Sequence, residues 1–245
     1  MKFKIQFIAS IFFILSSAAQ AQTYVTLEGG GTWQSRNDQQ IPGDTGTRFS
    51  IADFDNGPFT SYRLYVGHKW SQQHELRLLY APLEIELDGQ FDQPVSFINS
   101  TFAANTDTVA FYKFNSYRLT YAYHFAESQG WQWALGFTAK VRDAEVRLTQ
   151  GGLTESKKNV GFVPLLNLQA KKELSSLWFL RTDFDGLAAP QGRAVDLGLF
   201  LEKQFAGTEI SMFGGYRTVE GGADNDEVYN FAWLHTATLG LRAGF

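Results

Sequence analysis

Over most of its length this chain alternates apolar residues with small or polar ones. Tyr117, Leu119, Tyr121, Tyr123 and Phe125 are interleaved with Ser116, Arg118, Thr120 and Ala122, and Val195, Leu197, Leu199 and Leu201 repeat the pattern. A period of two gives a β-strand two unlike faces. Ten segments carry it, near 23–34, 59–70, 73–88, 107–125, 130–149, 158–172, 176–186, 193–204, 208–220 and 228–245. Each is long enough to cross a bilayer as a tilted strand of about 9–11 residues. The pattern predicts an all-β fold, a transmembrane antiparallel up-and-down β-barrel of ten strands. Eight strands follow instead if one hairpin lies within a loop.

The expected connections alternate in length, as the hairpins of such a barrel do. Short ones fall at 71–72, 126–129, 172–175 and 205–208, and longer ones centre on 36–58, 89–106, 151–159, 187–192 and 221–227. Trp70, Trp131, Trp133, Trp178 and Phe245 lie beside short turns, and Trp33 and Tyr229 beside long loops. That is the placement of two interfacial girdles. The first two long loops hold apolar stretches, Arg48–Phe54 and Val95–Ile98. They either extend their hairpins beyond the membrane or fold inward as a partial plug.

Composition adjusts this picture at the start of the chain. Lys2 and Lys4 precede an apolar run from Ile5 to Leu15, followed by Ala19-Gln20-Ala21, which reads as a cleaved secretory signal over residues 1–21 and leaves 22–245 as one barrel domain. Losing Lys2 and Lys4 takes the basic count from 21 to 19 against 25 acidic residues, so nothing in the charge favours nucleic acid. Cysteine is absent, and stability has to come from the sheet. Aromatic content is 16% while mean hydropathy is −0.20. A barrel reconciles the two, because only every second residue faces lipid.

The last segment alternates Ala237, Leu239, Leu241, Ala243 and Phe245 with Thr238, Gly240, Arg242 and Gly244. It resembles the C-terminal sorting strand of bacterial outer-membrane β-barrel proteins, with Phe245 as the assembly signal. The resemblance implies the outer membrane of a Gram-negative bacterium, contact with outer-membrane lipid and lipopolysaccharide, and delivery by the barrel assembly machinery. A monomer without a cofactor is expected.

Parity turns a set of charges inward: Glu28, Arg63, Glu75, Arg77, Arg118, Lys140, Arg142, Arg181, Asp183, Asp185, Asp196, Glu202, Arg217 and Arg242. In a narrow lumen opposite charges pair, because an unpaired confined ion is costly. This predicts a closed or narrow charged barrel with a structural or surface-interaction role. The first alternative is a low-conductance pore for small solutes. The second is a rim-active hydrolase built on Asp183, Asp185 and Asp226, as in omptin proteases, which are ten-stranded barrels with acidic residues and a histidine at the outer rim. His68, His74 and His124 lie toward the opposite end and His235 has the lipid-facing parity, so no histidine is expected beside those aspartates or beside a serine nucleophile. Asp224 and Asp226 offer hard oxygen ligands for a divalent cation, but their spacing is not that of an EF-hand loop.

Overall fold

The computed structural model describes residues 22–190 and 192–245. The expected signal segment, residues 1–21, lies outside the described residues. Ten strands follow one another: β1 (Gln22–Gln40), β2 (Phe59–Lys69), β3 (His74–Ala81, resuming at Glu84–Gly89), β4 (Thr108–His124), β5 (Trp131–Gln150), β6 (Leu153–Ser175), β7 (Trp178–Ala189), β8 (Gly192–Gln204), β9 (Ile210–Asn225) and β10 (Val228–Gly244). Each pairs antiparallel with the next. β10 returns to β1 from Tyr24↔Gly244 to Gln40↔Tyr229 and closes the sheet. Closure removes the open edges over most of the belt, as a lipid setting requires.

The faces follow the sequence pattern. On β4, Tyr117 is 43% exposed and its neighbour Arg118 4%. The outward belt runs for nine residues there, from Tyr117 to Phe125, and for nine on β10, from Trp233 to Leu241. That span suits a hydrocarbon core crossed by tilted strands. Trp70 stacks on His74 at 5.6 Å and Trp131 on Trp133 at 5.2 Å at the end of the barrel with short turns, while Trp33 and Trp233 face outward toward the other end. Beyond the belt at that far end the outward positions turn charged and pair with one another: Arg36 with Asp38 at 2.7 Å, Lys113 with Asp143 at 2.9 Å, Arg193 with Glu220 at 2.7 Å. Lys113 and Arg193 are held firmly protonated by the hydrogen bonds to these carboxylates.

Three of the five far-end connections are shorter than expected. β6 begins at Leu153, so β5 and β6 meet at Gly151-Gly152; β7 continues to Ala189 and β9 to Asn225. The strands continue because polar residues such as Thr154, Glu155 and Ser156 keep up the ladder with β5 although they carry no apolar alternation. Gly151 sits at φ 58°, where a side chain would be strained. The first two connections are long and fold inward. Residues 49–50 pair with β1, and residues 95–97 pair with 100–102. Their side chains Ile41, Ile51, Phe91, Val95, Phe97 and Phe102 pack on the inward faces of β3, β4 and β5, at Ile85, Leu87, Tyr112, Val146 and Leu148. The two loops also bond to each other, Thr47 N–H donating to Ser96 O at 2.9 Å and Ile98 N–H to Ile41 O at 2.8 Å. The barrel therefore has an apolar cap over the β1–β5 side of its far mouth.

Candidate functional site

Strand pairing fixes the height of every inward residue, and the charged ones gather in layers. The middle layer holds four guanidinium groups, Arg63 on β2, Arg77 on β3, Arg118 on β4 and Arg217 on β9. Facing them are four carboxylates, Glu28 on β1, Asp183 and Asp185 on β7 and Asp196 on β8. Arg77 reaches Asp183 at 3.0 Å, Arg118 reaches Asp185 at 2.8 Å and Asp196 at 2.7 Å, and Arg63 reaches Asp196 at 2.8 Å. Arg217 binds Glu28 at 2.6 Å and Asp196 at 2.5 Å. Apart from Arg217–Asp196, which joins the adjacent strands β9 and β8, these bonds run between strands that are not neighbours, so they span the lumen. Asp185 also accepts from Thr138 at 2.7 Å and from fully buried Asn167 at 2.8 Å. Charges and hydrogen bonds in the layer are matched, the condition under which buried ions are tolerated.

A second layer lies toward the short turns. Glu75 accepts from Tyr24 and contacts His124 Nε2 at 2.6 Å, and Glu202 takes Lys171 at 2.8 Å and Arg181 at 3.0 Å. Arg242 covers the Tyr24 ring at 3.6 Å. Cavities beside the two layers measure ≈ 50 and ≈ 60 Å³, room for a few water molecules.

Two of the inward residues expected from parity behave differently. Lys140 and Arg142, on the far side of the middle layer, have no carboxylate within ion-pairing distance among the described residues. Lys140 is 3% exposed and lies over the Phe114 ring at 4.6 Å; Arg142 donates to Asn159, and its Nε is buried with no partner. The nearby Tyr112 phenol is pushed up by burial, which keeps it neutral.

The hydrolase arrangement expected of Asp183, Asp185 and Asp226 does not form. Asp183 and Asp185 are buried in the middle layer and committed to arginines, whereas Asp226 stands in the turn between β9 and β10, where its carbonyl accepts from Gly43 N–H at 2.9 Å. No third carboxylate or histidine joins Asp224 and Asp226 into a metal-binding group among the described residues. Phe245 N–H donates to Thr23 O at 2.8 Å, continuing the seam of β10 with β1.

One expectation about histidine is overturned. Ser35 and His235 face outward together, Ser35 Oγ lying 2.7 Å from His235 Nε2, with Tyr216 OH at 2.5 Å from Nδ1. A bulge between Gln34 and Arg36 brings Ser35 to this face, a shift that strict parity does not foresee. The pair has a base in reach of a hydroxyl, but the group orienting the imidazole is a phenol in place of the usual carboxylate.

No family model matches the chain, and no curated protein does. Among solved structures it is similar to the outer membrane protease OmpT from Escherichia coli, at 10% identity over 91% of this chain and 97% of that one, TM-score 0.49. It is also similar to Ail, the attachment invasion locus protein of Yersinia pestis, at 7% identity over 92% and 99%, TM-score 0.41. The translocator domain of the autotransporter NalP from Neisseria meningitidis aligns at 12% identity over 97% and 93%, TM-score 0.44. Attachment, proteolysis and translocation stand side by side in these names, so the reading of this chain rests on its own residues.

Proposed function

We propose that this chain is a sealed outer-membrane barrel of a Gram-negative cell envelope, acting through its outer-leaflet and cell-surface parts and not by passing solutes. The observation that carries the reading is the middle layer of four arginines and four carboxylates bonded across the lumen. An ion entering the lumen would have to break pairs whose members cannot be rehydrated in so confined a space. The second layer and the apolar cap add two further obstructions. The apolar belt with its tryptophans supports a membrane setting, and the charged ring beyond the belt suits contact with lipopolysaccharide headgroups. In this reading the short turns and Phe245 are periplasmic, the assembly machinery recognises the last strand, and the barrel is monomeric.

The test is single-channel recording on the refolded chain of residues 22–245 in a planar bilayer, with insertion verified independently. A silent bilayer is expected. A steady current that responds to neutralising Arg118 or Arg217 would overturn the reading and make the lumen a narrow pore.

A further inference from the structure

The wall of the barrel is incomplete on one side. β6 and β7 pair only from Leu166↔Gly186 toward the short turns. Beyond that point β6 continues from Leu165 back to Leu153 bonded to β5 alone, and β7 continues over Leu187–Ala189 bonded to β8 alone. Pro164 stands at the base of the gap and has no N–H to offer a strand on either side. Phe162 is paired with Val141, at the far edge of the apolar belt, so the gap, which starts at Leu165, cuts into that edge of the belt. An unpaired edge is tolerated at that depth where it lines a cavity.

A cavity is there. Its volume is ≈ 280 Å³, just below the range of about 300–1,000 Å³ usual for small-molecule sites. Phe162, Pro164 and Leu187 line it on the side of the gap, and Lys140 and Arg142 line it within the barrel. The mouth is apolar: Val160 and Phe162 are 70% and 65% exposed. The interior is basic and uncompensated, with the Lys140 ammonium unpaired, the Arg142 Nε without a partner and the Gln39 Oε1 acceptor likewise unmet. Elsewhere in the lumen the cations of both layers have carboxylates, except half-buried Arg242, which lies on the Tyr24 ring. Buried Lys140 and half-buried Arg142, left without carboxylates beside this cavity, mark a place for an anion from outside the chain.

We propose that this cavity is a binding site for a single-chain anionic amphiphile, which enters through the gap between β6 and β7 with its headgroup on Lys140 and Arg142 and its aliphatic chain along Phe162, Pro164 and Leu187 toward the outer leaflet. The membrane setting of the barrel is taken from the reading above; the sealed lumen is not required. The test is calorimetric titration of the barrel in phosphatidylcholine nanodiscs, with empty nanodiscs as blank. The probes are octanoate, octanol, which shares the chain, and acetate, which shares the headgroup. Octanoate is expected to bind at least about tenfold more tightly than octanol, reflecting the charge-assisted bonds, and acetate not measurably. The double variant Lys140→Gln, Arg142→Gln should bring octanoate down to the level of octanol, and Ala144→Phe, which puts a ring into the cavity from a lining position on β5, should abolish both. Each variant is first checked for native circular dichroism and an unchanged urea midpoint. Equal binding of octanoate and octanol to the native barrel, acetate binding as tightly as octanoate, or full octanoate affinity in a folded Ala144→Phe barrel would each overturn the proposal. The readout is binding to the folded barrel, so its failure is separate from any finding of ion current.

Discussion

Asp196→Asn is the substitution that tests the lumen most directly. Asp196 is the shared anion of the middle layer, within 2.8 Å of Arg63, 2.7 Å of Arg118 and 2.5 Å of Arg217. Asparagine keeps the shape and removes the charge, so three guanidinium groups are left around a neutral amide. Arg118 retains Asp185 and Arg217 retains Glu28, but Arg63 keeps only a Glu28 contact at 4.0 Å. Breaking a buried pair from one side costs about 3–5 kcal/mol, roughly a hundredfold to several-thousandfold in the folding constant. With a urea slope of about 2 kcal/mol/M, the midpoint should fall by about 1.5–2.5 M. The assay is urea unfolding in lipid vesicles followed by tryptophan emission. Adding Arg217→Gln to Asp196→Asn restores the balance between cations and anions, and the double variant should lose less than the sum of the two singles. A loss below about 1 kcal/mol for Asp196→Asn would mean that the layer is hydrated and screened, as exposed pairs are, and the argument for a sealed barrel would fail with it.

Other consequences follow from the rest of the fold. Phe97→Ala removes a fully buried ring of the cap, a loss of about 3–5 kcal/mol where the site cannot collapse; limited proteolysis should then cut within residues 90–107 while the barrel stays intact. Leu199→Arg, in the middle of the belt on β8, should cost about 2–4 kcal/mol in vesicles, whereas Ser156→Arg on the exposed extension of β6 should change the urea midpoint by less than about 0.5 kcal/mol equivalent. Gly151→Val at φ 58° should cost about 1–3 kcal/mol, with Gly151→Asn much milder because asparagine tolerates the left-handed region; equal midpoints for the two would contradict the turn geometry.

Where lipid contact imposes an apolar residue at every second position, the sequence could be read directly, and β4 with its Tyr117–Phe125 alternation is legible to within two residues of each end. Where a strand leaves the membrane that demand ceases. Thr154–Lys158 of β6 carry no apolar signal, and a stretch expected as loop is ladder. Inward parity brought Glu28, Arg63, Arg77, Arg118, Asp183, Asp185, Asp196 and Arg217 to the lumen, but which of them meet depends on the shear and diameter of the closed barrel, which no local pattern encodes. For the same reason Lys140 and Arg142 looked like further members of the layer; only the closed geometry shows them one level away, without acids. The Ser35–His235 contact was hidden by a single bulge, and the gap beside Pro164 by the fact that strand partners are set globally.

The distribution of charge among the strands also has a consequence for how the molecule is made. β2, β3 and β4 bring three of the arginines in the first half of the chain, β7 and β8 bring three of the carboxylates later, and Arg217 and Glu28 meet only when β9 and β10 have come round to β1. Partners up to 189 residues apart must therefore wait for one another. A half-built sheet holds uncompensated positive charge on one stretch and negative charge on another, and neither is at ease in lipid until the seam shuts. Such long-range pairing slows assembly and makes it nearly all-or-none: partial barrels stay poor tenants of the bilayer, and the last hairpin decides whether the whole chain stays.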